Sequence, residues 1–114
     1  MADCLFCSMV GGEVETNKVY EDETAFAFND IVPRAPVHVL IIPKKHISSL
    51  REAEEEDEKL LGHLLYVAKK IAEQLKISTG GYRIVINNGD DAGQEVGHIH
   101  VHLLGGREMG WPPG

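Results

Sequence analysis

The chain has 114 residues, enough for one modest hydrophobic core, so a single domain over 1–114 is predicted. Eleven Lys and Arg against 18 Asp and Glu leave a net charge of −7. That argues against a surface for a nucleic-acid polymer but leaves a mononucleotide open, because backbone N–H groups and histidine can hold a phosphate. No apolar run reaches membrane-spanning length and no basic-then-apolar stretch reads as an export signal, so a cytoplasmic protein without a membrane partner is expected.

The first motif is Cys4-Leu5-Phe6-Cys7. A disulfide does not suit a reducing compartment, and a redox pair usually follows a strand of a βαβ unit, which is not predicted here. A metal half-site is the favoured reading of the three, and it needs two further ligands. Phe6 and Met9 lie three apart on a short helical turn ended by Gly11-Gly12 and read as core residues. Residues 18–21 and 24–29 read as strands joined at Asp22-Glu23, and Asp30 reads as a turn or cap residue. Two prolines exclude regular structure at Pro33-Arg34-Ala35-Pro36. Residues 37–42 form a strongly apolar strand, predicted to be central, with His38 on the face of Leu40 and Ile42; a lone histidine there is ordinarily a satisfied core residue. His46 follows in a loop, as a surface residue or as one of the missing ligands.

Ser48 or Ser49 is placed to cap the next element, and six carboxylates between Glu52 and Glu58 suit the positive end of a helix and read as solvated. The helix continues through a stripe of Leu60, Leu61, Leu64, Leu65, Val67, Ala68, Ile71, Ala72 and Leu75, with His63 off the stripe and Thr79-Gly80-Gly81 as terminator. Residues 82–87 read as a strand, and the glycine-rich loop 88–97 can aim backbone N–H groups at an anion without matching a P-loop. The tail 107–114 holds the only Trp, Trp111, which reads as a contact residue docking on a partner subunit.

Residues 97–106 are the centre of the pattern. His98, His100 and His102 stand at every second position, with Ile99, Val101 and Leu103 between and after them, which predicts a strand. Alternate side chains on a strand are roughly 6.6 Å apart, so His98 and His102 are roughly 13 Å apart. Metal–nitrogen bonds of about 2 Å cannot gather all three on one ion, so the histidines divide their labour.

The run His98-Ile99-His100-Val101-His102-Leu103-Leu104 resembles the signature of the histidine triad superfamily (HIT). Further segments resemble its Hint branch, the histidine triad nucleotide-binding proteins: Cys-x₂-Cys, 27–31, 35–38, 42–47, Gly93-Gln94, 105–107 and 111–114. The resemblance covers nearly the whole chain. It implies an α+β fold with a five-stranded antiparallel sheet, one long helix and one short one, in a homodimer whose sheets join into ten strands. It also implies hydrolysis of nucleoside phosphoramidates, with a purine nucleoside monophosphate or phosphoramidate as the bound partner.

On matching positions, the resemblance makes His100 the nucleophile, with its other ring nitrogen donating to a backbone carbonyl; His102 contacts the phosphate and His38 stands beside them. Asp30 accepts from the ribose, Phe6, Met9, Phe28, Ile31 and Leu40 line the base, and Asn87, Gly93, Gln94 and Val96 frame the phosphate. Structural Zn²⁺ falls to Cys4, Cys7, His46 and His98. Two positions depart from common patterns. Glu95 stands where eukaryotic relatives commonly have a Ser that helps protonate the leaving amine, so its role as acid is open; Gly97 replaces a frequent aromatic. Together with the Cys-x₂-Cys half-site, these two positions suggest a prokaryotic, zinc-containing type. Two other readings compete with the hydrolase: a zinc-stabilised nucleotide-binding signalling or scaffold module with little turnover, and a metallohydrolase using the triad as a catalytic metal site. The glutamine of a neighbouring dinucleotide-cleaving branch is Val101 here, which weighs against that activity.

Overall fold

Alternating apolar residues build one sheet whose two faces have different covers. The computed structural model describes residues 4–114, so the first three residues of the predicted domain lie outside the described residues. Among these, five strands form: β1 (Lys18–Glu21), β2 (Ala25–Asn29), β3 (Val37–Pro43), β4 (Tyr82–Val85) and β5 (Val101–Gly105). Their order is β1-β2-β3-β5-β4, with every neighbouring pair antiparallel. A short helix α1 (Leu5–Val10) and a long helix α2 (Glu58–Gln74) complete the α+β architecture that the sequence predicts.

The central strand β3 is apolar on both faces because both are covered. Val39 and Ile41 join Ala25, Ala27, Val101 and Leu103 beneath Leu64, Val67, Ala68, Ile71 and Ala72 of α2. Leu40 and Ile42 point the other way and pack with Phe26, Phe28 and Phe6 of α1. Helix α1 has six residues, so it covers only part of that second face. Its start is fixed locally: the Cys4 sulfur accepts the Cys7 N–H at 3.3 Å.

Several boundaries differ from the sequence expectation. The triad strand begins only at Val101, because the Ile99 N–H is drawn to the Ile47 carbonyl at 2.7 Å and the His98 N–H to Val96 at 2.9 Å. Those donors serve loops instead of a ladder, so His98 and His100 precede the strand. Likewise β4 stops at Val85. Helix α2 starts at Glu58 after two 3₁₀ turns, Leu50–Glu52 and Glu55–Asp57. Within the acidic run Asp57 is buried, pairing with Lys45 Nζ at 2.6 Å and accepting the Glu54 N–H at 2.9 Å. Leu65 and Leu75 are exposed and do not belong to the buried stripe. His63 is not free in solvent; it holds Asp22 at 2.7 Å, and Tyr20 Oη donates to the same carboxylate.

The helix ends at Gln74, not at Gly80-Gly81. Lys76 takes a left-handed φ of 64°, its N–H bonds Glu73 and the Ile77 N–H bonds Ala72, which is a Schellman closure without glycine. That closure drives the buried Ile77 against Gly105, where an added Cβ would lie 2.5 Å from Ile77 Cδ1 and 3.1 Å from its Cβ. Gly105→Ala is therefore expected to cost about 1–3 kcal/mol by overpacking. Ile77→Val in the same chain should restore part of it. Urea denaturation of the two variants and the double variant measures both; additive losses would refute the contact.

Candidate active site and metal centre

The incompletely covered face of the sheet is a cleft of about 960 Å³. Register places its residues: His38 lies opposite Leu104 and Leu40 opposite His102 on the β3–β5 ladder, and Val85 faces His102 from β4. Of the predicted residues, His38, His100, His102 and Glu95 line the cleft, as do Phe6, Met9, Phe28, Asp30, Ile31, Leu40, Asn87, Gly93 and Val96. Gln94 does not. Its Oε1 accepts the Gly89 N–H at 2.9 Å, and its Nε2 donates to the Ser48 and Val96 carbonyls at 2.8 and 3.0 Å. It ties the glycine-rich loop together from behind.

Hydrogen-bond partners assign each ring nitrogen. His100 Nδ1–H donates to the His98 carbonyl at 2.7 Å, which leaves Nε2 with its lone pair. The Arg34 N–H donates to His38 Nδ1 at 3.0 Å, so the His38 proton is on Nε2. That Nε2–H donates to His102 Nδ1 at 3.0 Å and sits 3.4 Å from Asp30 Oδ2. His102 must then carry its proton on Nε2, a buried donor with no partner among the described residues. An unmet buried donor costs about 1–3 kcal/mol, which a ligand oxygen would recover. Burial holds His38 below its ordinary range, against the pull of Asp30, and pushes His102 down to about 4. Both rings are neutral at neutral pH. Asp30, His38 and His102 bring ligand-type atoms within 4.8 Å of one another, yet the Nε2–H of His38 faces inward, so the trio is a proton-donating chain and not a metal site.

The second cluster is built differently. Cys4, Cys7, His46 and His98 have donor atoms within 4.8 Å of one another. His98 is fully buried and gives its Nε2–H to the Pro43 carbonyl at 2.8 Å, turning the Nδ1 lone pair toward the thiols. Cys4 Sγ lies 3.3 Å from that nitrogen and Cys7 Sγ 3.7 Å; His46 Nδ1 is 3.3 Å from Cys7 Sγ and 3.2 Å from His98 Nδ1. A tetrahedron with metal–sulfur bonds of about 2.3 Å and metal–nitrogen bonds of about 2.0–2.1 Å has S···N edges of about 3.5 Å and an N···N edge of about 3.4 Å. The four side chains fit that figure and could hold a metal ion such as zinc. Two lysines brace the loop bearing His46: Lys44 on Glu21 at 2.8 Å and Lys45 on Asp57.

Other cleft residues were not singled out from sequence. Val85 and Leu104 follow from the period of two around His102, whereas Glu15, Thr16 and Asn17 have no local signal. They arrive because the Asn29 N–H bonds the Asn17 carbonyl at 3.0 Å. Arg34 sits between two prolines whose only legible message is a loop.

A family model described as HIT domain matches residues 11–109. An uncharacterised HIT-like protein of Synechococcus elongatus is 51% identical over 112 residues, covering 98% of this chain and 97% of the relative. A crystal structure of a HIT family hydrolase from Legionella pneumophila superposes with a TM-score of 0.96 at 51% identity, covering 98% of this chain and 100% of that one. The histidine triad nucleotide-binding protein of Candida albicans superposes with a TM-score of 0.83 at 36% identity, over 96% of this chain and 83% of that one.

Two outcomes test this geometry. Chelation under reducing conditions is expected to release about one metal ion per chain and to lower Tm by at least about 10 °C, as loss of a tightly bound ligand worth several kcal/mol requires; His46→Ala should mimic it. Negligible metal after zinc is added back would refute the site. For the histidine pair, the unfolded His102 takes a proton near pH 6.5 and the folded one near 4. Between these values the unfolded state binds more protons, so unfolding free energy should fall as pH drops from about 6.5 to about 4. His102→Gln should flatten that slope in urea titrations across the range.

Proposed function

The chain belongs to the HIT domain family, and on that footing we propose that it hydrolyses nucleoside phosphoramidates at the α-phosphate of a purine nucleotide. The observation that carries this reading is the tautomer of His100, which leaves Nε2 with a lone pair in the cleft. In the first step Nε2 attacks phosphorus: an N–P bond forms, the P–N bond to the departing amine breaks, and the amine leaves with a proton. Water then attacks the nucleotidyl-histidine, the N–P bond breaks, and the nucleoside monophosphate leaves with His100 restored. His102 Nε2–H donates to a phosphate oxygen, the acceptor that this buried group lacks. His38, held by the Arg34 N–H, keeps His102 in that tautomer.

Asp30 accepts from the ribose through Oδ2, since Oδ1 takes the Val32 N–H. Phe6, Met9, Phe28, Ile31 and Leu40 form the base side; Asn87, Gly93 and Val96 frame the phosphate, and Gln94 contributes through the loop it ties. Glu95 at the cleft is the candidate acid for the departing amine. On the same reading the chain is one domain of the Hint branch. It holds structural Zn²⁺ at Cys4, Cys7, His46 and His98 and works in the cytoplasm, where thiols stay reduced enough to ligate. It pairs as a homodimer through the edge strand β4, with the 107–114 tail at the interface. The exposed Trp111, whose ring lies over the Arg83 guanidinium at 5.8 Å, supports that pairing. The naming of the Legionella neighbour as a hydrolase supports turnover over a purely binding role.

The test is turnover of adenosine 5′-phosphoramidate by the wild type and by His100→Ala. The variant is expected to be at least about 10³-fold slower, roughly 4 kcal/mol of barrier. Equal rates would move the chemistry to another group.

A further inference from the structure

Among the described residues, the cleft proposed to hold an anion is lined by three carboxylates, Glu15, Asp30 and Glu95, and by a single permanently cationic side chain, Arg34. Arg34 is pinned through its main chain on both sides. Its N–H donates to His38 Nδ1 at 3.0 Å, and its carbonyl accepts from Arg107 Nε at 2.9 Å. Pro33 and Pro36 restrict the same loop. Its guanidinium, by contrast, has no hydrogen-bond or ion-pair partner among the described residues. The backbone is therefore fixed while the guanidinium stands exposed at the cleft, where a ligand can reach it. Its proximity is felt by the histidines, since the positive charge adds to the lowering at both His38 and His102.

We infer that Arg34 forms an anion subsite that selects substrates bearing a second negative group besides the phosphate under attack. This inference rests on the cleft being a nucleotide site. The attacked phosphate already has its donor in His102 Nε2–H, and a planar guanidinium is suited to bidentate contact with a further phosphate or a carboxylate. That group has two possible sources: a phosphate on the ribose, beside Asp30 in the same loop, or a carboxylate on the departing amine.

Equilibrium binding separates the sources. In a His100→Ala background, which prevents turnover, two pairs of ligands are compared by calorimetry: adenosine 3′,5′-bisphosphate against AMP, and the glycine phosphoramidate of AMP against its glycinamide counterpart. The more anionic member of at least one pair is expected to bind at least about tenfold tighter at low salt, with the margin shrinking as salt rises. Adding Arg34→Gln should abolish that margin, and adding Arg34→Lys should keep part of it. The pair that shows the margin identifies the source. If AMP binds but neither margin exists, or Arg34→Gln leaves it intact, the subsite is refuted while the nucleotide reading stands. If no nucleotide binds to the wild type either, both fall together.

Discussion

The imidazole of His98 holds the arrangement together. It is fully buried, with Nε2–H spent on the Pro43 carbonyl and Nδ1 turned to Cys4 and Cys7. Its own carbonyl then accepts Nδ1–H of His100. One residue thus sets the donor geometry of the cysteine–histidine cluster through its ring and the tautomer of the proposed nucleophile through its backbone. The opposite tautomer at His98 would aim an N–H at the thiols and an unprotonated nitrogen at the Pro43 carbonyl, leaving a buried mismatch.

The two faces of the sheet explain how such a polar assembly is tolerated in so small a protein. Helix α2 and the Val39, Ile41, Val101 and Leu103 face supply the larger apolar cluster. The opposite face can then give up packing to histidines, with only Phe6, Phe26, Phe28, Leu40 and Ile42 as a second cluster at one side. Phe6 joins the two kinds of environment. It packs edge-on against Phe28 at 5.4 Å, and its ring also meets His98 and His100 at 5.9 and 5.3 Å. The short helix is consequently a wall of the cleft as well as a carrier of thiols.

Sequence periodicity carries the sheet, the long helix and the separation of His98 from His100 and His102, because each rests on local spacing. The run of alternating histidines and its strand were legible, but not that the strand starts only at Val101, since loop carbonyls at Ile47 and Val96 take donors that a ladder would have used. The acidic run looked uniformly solvated, yet Asp57 is buried because Lys45, a dozen residues earlier, reaches it. Lys76 ends a helix where a glycine a few residues on gave the stronger local signal, and buried Ile77 is what holds the turn there. Gln94 carried a strong resemblance and still points away from the cleft. Glu15, Thr16 and Asn17 reach the cleft through one backbone hydrogen bond, which no pattern of side chains announces.

The cysteine–histidine cluster joins residues 94 positions apart among the 114. Between the two thiols and His98 in chain order lie His46, the long helix α2 and strand β4. The thiols therefore have no buried imidazole to face until α2 and β4 have both been made. Closure of the cluster thus depends on the same segment that orients the proposed nucleophile: a chain cut between His46 and His98 keeps the thiols and His46 but lacks both the fourth donor and the carbonyl that orients His100.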